Sequence, residues 1–201
     1  MAETTGFNAQ IKISGAATSM TAEATTTADD TVYQITAAAK QVLDRDTPPT
    51  VLDGGVETEE DYTVNYLTGK ITFGSADETR VITVTGNYLP MTVAAYANQA
   101  SHSDVCSMND ATKFGDTHKK RIAGLKSASG TLTNFYSADE VFTDALTAGN
   151  PVVIEDRTAS TAEPNRYWAL LDSTEVAAAI EGLIQQAVSW VSYDSWIKLG
   201  V

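Results

Sequence analysis

Cysteine is almost absent from this chain: Cys106 stands alone among 201 residues. That excludes an internal disulfide framework and leaves packing or oligomerisation to stabilise the fold, with a reducing cytosol as the natural place of synthesis. Long apolar runs are missing as well. None approaches the roughly 18 residues that a membrane-spanning helix requires, and the opening residues, Met1-Ala2-Glu3-Thr4-Thr5-Gly6, hold neither the basic nor the apolar region of an export signal. A soluble protein without membrane partners is expected, and its 43% hydrophobic content is enough for a core. Basic residues are scarce, 13 against 26 acidic ones, for a net charge of -13. Duplex DNA carries about one negative charge per 1.7 Å of axis, so this balance argues against nucleic-acid binding. Residues 1–90 hold 13 acids and 5 bases, and residues 91–201 hold 13 and 8, so both halves are acidic. Only His118-Lys119-Lys120-Arg121 is a basic run, and it lacks the further cations and interleaved aromatics of a nucleic-acid patch.

The residues of catalysis are equally sparse. His102, His118 and Cys106 are the only candidates for a nucleophile, a neutral-pH base or a soft metal ligand. His102 and Cys106 are spaced to reach one metal, but a structural zinc site takes about four ligands and no second Cys-His pair exists. A Cys106-His118 thiol-imidazole pair would need an orienting third group from elsewhere in the fold. The plainer reading is a small buried thiol and two surface imidazoles. Asp53-Gly54-Gly55 is a turn rather than half of an aspartic protease site. No phosphate loop, dinucleotide fingerprint or nucleophile elbow occurs. No catalytic residue, cofactor or metal is assigned, and a non-enzymatic protein is expected.

What is present is strand signal. Phe7, Ala9, Ile11 and Ile13 alternate with polar residues, placing a first strand there. Thr18 to Asp30 is rich in Thr and Ala, which suits β-structure without a clear period. Tyr62, Val64 and Tyr66 alternate with polar residues, Thr68-Gly69 supplies a turn, and Ile71 and Phe73 resume the alternation: a β-hairpin. Val81 to Tyr88 is a further strand, stopped by Pro90. The acids Glu57, Glu59, Glu60 and Asp61 read as a solvated edge that discourages stray strand pairing, with a calcium loop as the sharper alternative. One helix is marked: Ser137 and Glu140 form a capping box, Val141, Phe142, Ala145 and Leu146 share the packing face, and Gly149 and Pro151 end it. Trp168, Trp190 and Trp196, with Tyr167 and Tyr193, suit core or subunit-interface packing, with a carbohydrate platform as the alternative. Thr174 to Val188 fits two periods. Val176, Ile180, Leu183, Ile184 and Val188 are spaced as on a helix, while Val176, Ala178, Ile180 and Ile184 also alternate with Glu175 and Glu181.

Several of these features taken together resemble the tail tube, or major tail, proteins of phages with long non-contractile tails. They are the turn formed by Thr112, Phe114, Gly115 and Asp116, the following strand from Gly124 to Gly130, the helix ending at Ala148-Gly149, and the Tyr167-Trp168-Ala169-Leu170-Leu171 strand leading into two more. Residues 61–73 are similar to a β-hairpin that recurs in phage virion proteins. The resemblance implies a mainly β protein: a tail-tube-type β-sandwich or barrel with one flanking α-helix, to which a small antiparallel β-unit is added. It divides the chain into an N-terminal arm and first strand (1–14), the added β-unit (15–90) and the tube core (91–201). It also decides Thr174 to Val188 in favour of strand. The implied function is structural. Hexameric rings stack into a hollow virion tail tube, through which DNA passes without specific binding. The other implied partners are tape measure, tail terminator and baseplate proteins. In such proteins a long loop reaches the neighbouring ring; here it is Ser101 to Thr117, with Asp104, Asp110, Phe114 and Asp116 as candidate inter-ring residues. A β-rich virion decoration protein or adhesin is the alternative.

Overall fold

The computed structural model describes residues 10–93, 97–115, 117–135, 141–157, 164–177 and 184–198. The protein is mainly β, built from antiparallel strands with one α-helix among the described residues. In chain order the strands are β1 (Gln10–Ser14), β2 (Thr18–Thr27), β3 (Val32–Ile35), β4 (Thr50–Asp53), β5 (Val56–Glu57), β6 (Tyr62–Asn65), β7 (Lys70–Phe73), β8 (Ile82–Tyr88) and β9 (Met91–Val93). Then come β10 (Ala97–Asp110), β11 (Arg121–Phe135), helix α1 (Val141–Ala148), β12 (Val152–Arg157), β13 (Asn165–Ala177) and β14 (Gln185–Lys198). The chain forms two units: unit 1 comprises Met1–Ile11 and Ala94–Val201, and unit 2 comprises Lys12–Val93. Unit 2 is thus inserted into unit 1. Its first and last residues are cross-strand partners, Lys12 opposite Val93, in the antiparallel β1–β9 ladder.

Unit 2 is ordered β5-β4-β8-β2-β3-β7-β6. The two halves share β2, which pairs with β8 from Thr18 to Ala24 and with β3 from Thr25 to Thr27. A bulge after Met20, with Ala22 at φ +47°, bends the strand there. Alternation does the rest: Tyr33, Ile35, Ile71, Phe73, Ile82 and Val84 point inward and are buried together with Met20, Leu43 and Val51. Backbone around Leu43 bridges the halves, its N–H donating to the Tyr66 carbonyl while the Leu89 N–H donates to that of Val42. The expected hairpin is present. Tyr62 faces Phe73, Val64 faces Ile71, and Gly69 closes the turn at φ +68° with its N–H on the Asn65 carbonyl. A side chain at Gly69 would also press on the Gln41 carbonyl, 2.8 Å from where its Cβ would lie, so glycine is needed twice over. The strand expected at Val81 is also found, as β8, and the Thr- and Ala-rich segment forms β2. Of the first expected strand, Ile11 and Ile13 lie on β1, with Ile13 buried, while Phe7 and Ala9 fall outside the described residues.

In unit 1 the order is β10-β11-β14-β13-β12, each pair antiparallel. A flat sheet at about 4.8 Å per strand would hold β10 some 19 Å from β12. Instead His102 on β10 meets Asp156 on β12 at 2.9 Å, so the sheet curls until its first strand returns to its fifth. Helix α1 packs on β13. Phe142 is buried, Ala145 and Leu146 are half-buried, and Thr143, Asp144 and Thr147 are exposed. The helix ends as expected: Gly149, at φ +65°, donates to the Ala145 and Leu146 carbonyls. The capping pair Ser137 and Glu140, and the Val141 side chain, lie outside the described residues.

Two expectations need correction or completion. Ser101 to Thr117 was expected to be a loop, but it is strand as far as Asp110. The hydrogen-bonded ladder from Ala97↔Asn134 to Asp110↔Arg121 supplies the pairing that its polar sequence did not advertise. Thr174 to Val188, assigned to strand, is strand on both flanks, Thr174–Ala177 in β13 and Gln185–Val188 in β14. Residues 178–183 between them lie outside the described residues.

Candidate assembly surface

Strand β11 pairs with β14 only from Ser129 to Phe135, whereas its pairing with β10 continues to Arg121. Residues 105–110 and 121–127 therefore pair only with each other, as a two-stranded ribbon from which β14, continuing to Lys198 against β13, has parted. Six residues at about 3.4 Å each carry it roughly 20 Å. Such a ribbon is marginal on its own in water. It nonetheless exposes Val105, Met108, Ile122 and Leu125, the last at 87%. Phe114 at the tip is fully exposed. Exposed apolar side chains on a folded protein are candidates for contact with a partner.

The ribbon tip is organised by hydrogen bonds. Asp110 accepts from the Thr112 N–H at 2.8 Å, the Thr112 hydroxyl accepts from the Lys120 N–H at 3.0 Å, and the Ala111 N–H donates to the Lys120 carbonyl. The Thr112 hydroxyl and N–H hold the Asp110 carboxyl below its ordinary range, so it stays ionised. Gly115 takes φ +96° in the turn. Of the four candidate inter-ring residues, Asp110 and Phe114 thus sit at or next to the tip. Asp104 is on β10 opposite Ala128, at the ribbon's base, and Asp116 is outside the described residues. Strand β10 also ends the sheet order, so its outer edge has no strand partner among the described residues.

Inside the curl the side chains are polar and aromatic. Tyr167 is fully buried, with its ring centroid 5.1 Å from Trp190 and 5.7 Å from His102. Its hydroxyl has no hydrogen-bond partner among the described residues. Burial, with the carboxylates of Asp156 and Asp104 nearby, pushes the phenol well above its ordinary range. Because the raised value favours the neutral phenol, the folded state gains from it at all pH below the ordinary tyrosine value of about 10 and loses that gain as pH climbs further. We expect unit 1 to weaken above pH ~10 and Tyr167→Phe to flatten that alkaline loss without lowering stability at neutral pH. Urea titrations followed at several pH values would check both.

On β12 and β13, Glu155 is buried and accepts from Arg157 Nε and from Arg166 Nε, each at 2.8 Å. Glu155 and Arg166 are direct cross-strand partners. The sequence reading missed this triad. Charged residues inside the Val152–Arg157 strand, on a face that must pack, were the available signal.

The catalytic candidates are dispersed. The His102 imidazole lies on Tyr167 and pairs with Asp156. Cys106 is half-buried, its thiol directed at the Ser107 and Gly124 carbonyls, and His118 lies beside Thr117. Among the described residues, no group of three or more His, Cys, Asp or Glu is placed to hold a metal ion. The aromatic residues form no exposed platform: Tyr167, Trp168 and Trp190 are buried, as expected for packing, Trp196 is half-buried, and only Tyr193 is substantially open.

No family model and no curated protein matches the chain. Among solved structures, it is similar to a chain from the virion of a native gene transfer agent particle, with a TM-score of 0.48 and 13% identity over 53% of this chain and 86% of that one. It is also similar to a chain from the tail of an empty gene transfer agent particle with C6 symmetry, with a TM-score of 0.49 and 14% identity over 54% and 85%.

Proposed function

We propose that this protein is a structural subunit of a phage-type virion tail, a non-enzymatic self-assembling module whose hexameric rings stack into a tube that conducts DNA. The carrying observation is the ribbon of β10 and β11, which separates from β14 and exposes apolar side chains beside an open strand edge. A monomer with that surface is poised to aggregate. Closing a ring of like subunits pairs such edges, and stacking rings covers such ribbons. Of the residues that resemble tail tube proteins, Thr112, Phe114 and Gly115 and the stretch Gly124 to Gly130 fall on this ribbon and its continuation. Asp104, Asp110, Phe114 and Asp116 are then inter-ring residues. The added β-unit, unit 2, is an insertion in the chain of unit 1. The other partners would be the tape measure, terminator and baseplate proteins of the same tail, met after synthesis in the host cytoplasm.

The acidic balance fits a conduit. A basic wall would exchange counterions with passing DNA and hold it, whereas an acidic wall leaves the duplex hydrated and free to slide. A lumen lined mainly by Lys119, Lys120, Arg121 and Lys126 would contradict that account. Negative-stain microscopy of the purified protein tests the function directly. Rings or tubes with a central hole are expected, and compact particles at every concentration would overturn it.

A further inference from the structure

Charge is unevenly placed in this acidic molecule. Lys113, Lys119, Lys120, Arg121 and Lys126, five of the 13 cations in the chain, fall within residues 113–126 with a single acid, Asp116. These five cations are exposed on the ribbon and its tip. In unit 2 the imbalance is reversed and local. Of its 12 acids, seven fall in residues 53–61 and 77–78. The two segments meet in space. The Gly54 N–H donates to the Val81 carbonyl at 3.1 Å, the Val81 N–H donates to Asp53 Oδ1 at 2.9 Å, and Arg80 pairs with Glu60.

The one cation of this acidic end is withdrawn from the surface. The Arg80 side chain is 3% exposed, stacked 4.5 Å over the Phe73 ring and donating to the Ser75 carbonyl, so its charge is spent internally. The Thr79 hydroxyl and N–H keep Asp77 ionised below the ordinary carboxylate range. Val56 and Val81, 72% and 64% exposed, lie among these acids and give the same end an apolar centre. One surface is basic with exposed Phe114 and Leu125, and the other is acidic with two exposed valines. Each has the sign and the apolar component that the other needs.

We infer that the basic ribbon tip of one copy docks on the acidic end of unit 2 of another copy. Because the two surfaces differ, the contact is heterologous: it runs from one molecule to the next and repeats, which is how rings and open stacks grow. The inserted unit is then a receiving surface for assembly. This rests on the self-assembly reading above and adds the partner surface and its salt dependence.

The test uses the full-length chain in three forms: wild type, a Lys119→Glu/Lys120→Glu/Arg121→Glu variant and a Glu57→Lys/Glu59→Lys/Asp61→Lys variant. Sedimentation velocity and negative-stain microscopy across a salt series would be run on each alone and on the two variants mixed in equal amounts, with short duplex DNA added in a parallel set. The expected result has four parts. Wild-type assemblies loosen as salt rises. Each variant alone needs at least about tenfold more protein to assemble. The mixture associates more strongly than either variant by itself, and DNA leaves wild-type association unchanged. Variants that assemble as the wild type does, with no gain on mixing, overturn the inference while leaving the tail-subunit reading standing. Loss of DNA binding in the ribbon variant with unchanged assembly also overturns it, in favour of a nucleic-acid surface. A wild-type protein that stays monomeric at low salt overturns both.

Discussion

Glu155→Ala is expected to destabilise unit 1 by about 3–5 kcal/mol, because it removes the carboxylate that accepts from two arginines, one of them buried. Glu155 is 1% exposed and Arg166 is 4% exposed, and both arginines donate to the one carboxylate. Arg157, with 22% of its side chain open, can turn to solvent; Arg166 cannot. The large effect is the cost of taking a carboxylate away from the buried Arg166, not the intrinsic worth of the ion pair. A double replacement, Glu155→Met with Arg166→Leu, is therefore expected to lie near the wild type or above it in stability. Tryptophan fluorescence in a urea titration isolates the effect, because Trp168, Trp190 and Trp196 all belong to unit 1. If the double variant falls as far as Glu155→Ala, the triad stabilises the fold directly and the argument from desolvation is wrong.

The second large effect is expected at Trp190. Its indole lies across Gly130 of the neighbouring strand: a Cβ built there would come within 2.6 Å of two indole carbons and 2.5 Å of the Ser101 carbonyl. The same indole packs on Tyr167 at the centre of the curl. Trp190→Ala should cost about 3–5 kcal/mol in lost packing and residual cavity. Gly130→Ala should cost about 1–3 kcal/mol by overpacking. The two are coupled in part, since removing the indole relieves two of the three close contacts and leaves the Ser101 carbonyl at 2.5 Å. The double variant should be more stable than the sum of the single losses predicts, by roughly 0.5–3 kcal/mol. Strict additivity would show that the Ser101 carbonyl, and not the indole, is what forbids a side chain at Gly130.

What could be read from the sequence follows from where burial imposed a period. Tyr62, Val64, Ile71 and Phe73 alternate because one face of that hairpin packs on a core, and Gly69 marks its turn by requiring a positive φ. The β10 half of the ribbon had no such signature. Ser101 to Asp110 is exposed on both faces for most of its length, so nothing enforces alternation, and a strand looked like a loop. Thr174 to Val188, assigned to strand on the resemblance and strand on both described flanks, was ambiguous for a different reason. Val176, on β13, and Ile184, just before β14, have the spacing of one helical face, yet both are exposed. The meeting of His102 with Asp156, 54 positions apart in sequence, arises from curvature accumulated over five strands and has no local trace. The charge asymmetry was only half visible. The basic run at residues 118–121 stood out, but the joining of residues 53–61 to 77–81 depends on backbone pairing that composition does not report.

The β1–β9 ladder carries a consequence for the order of folding. While unit 2 is unfolded, Ile11 and Ala94 of unit 1 are separated by an 82-residue tether, and bringing them together costs chain entropy. Once unit 2 has folded, Lys12 and Val93 sit on one rung, about 5 Å apart, and the tether behaves as a two-residue turn. Loop-closure entropy puts the difference at about 3 kcal/mol. If unit 2 folds first, the chain that unit 1 must close is shorter, and its closure costs less by that difference.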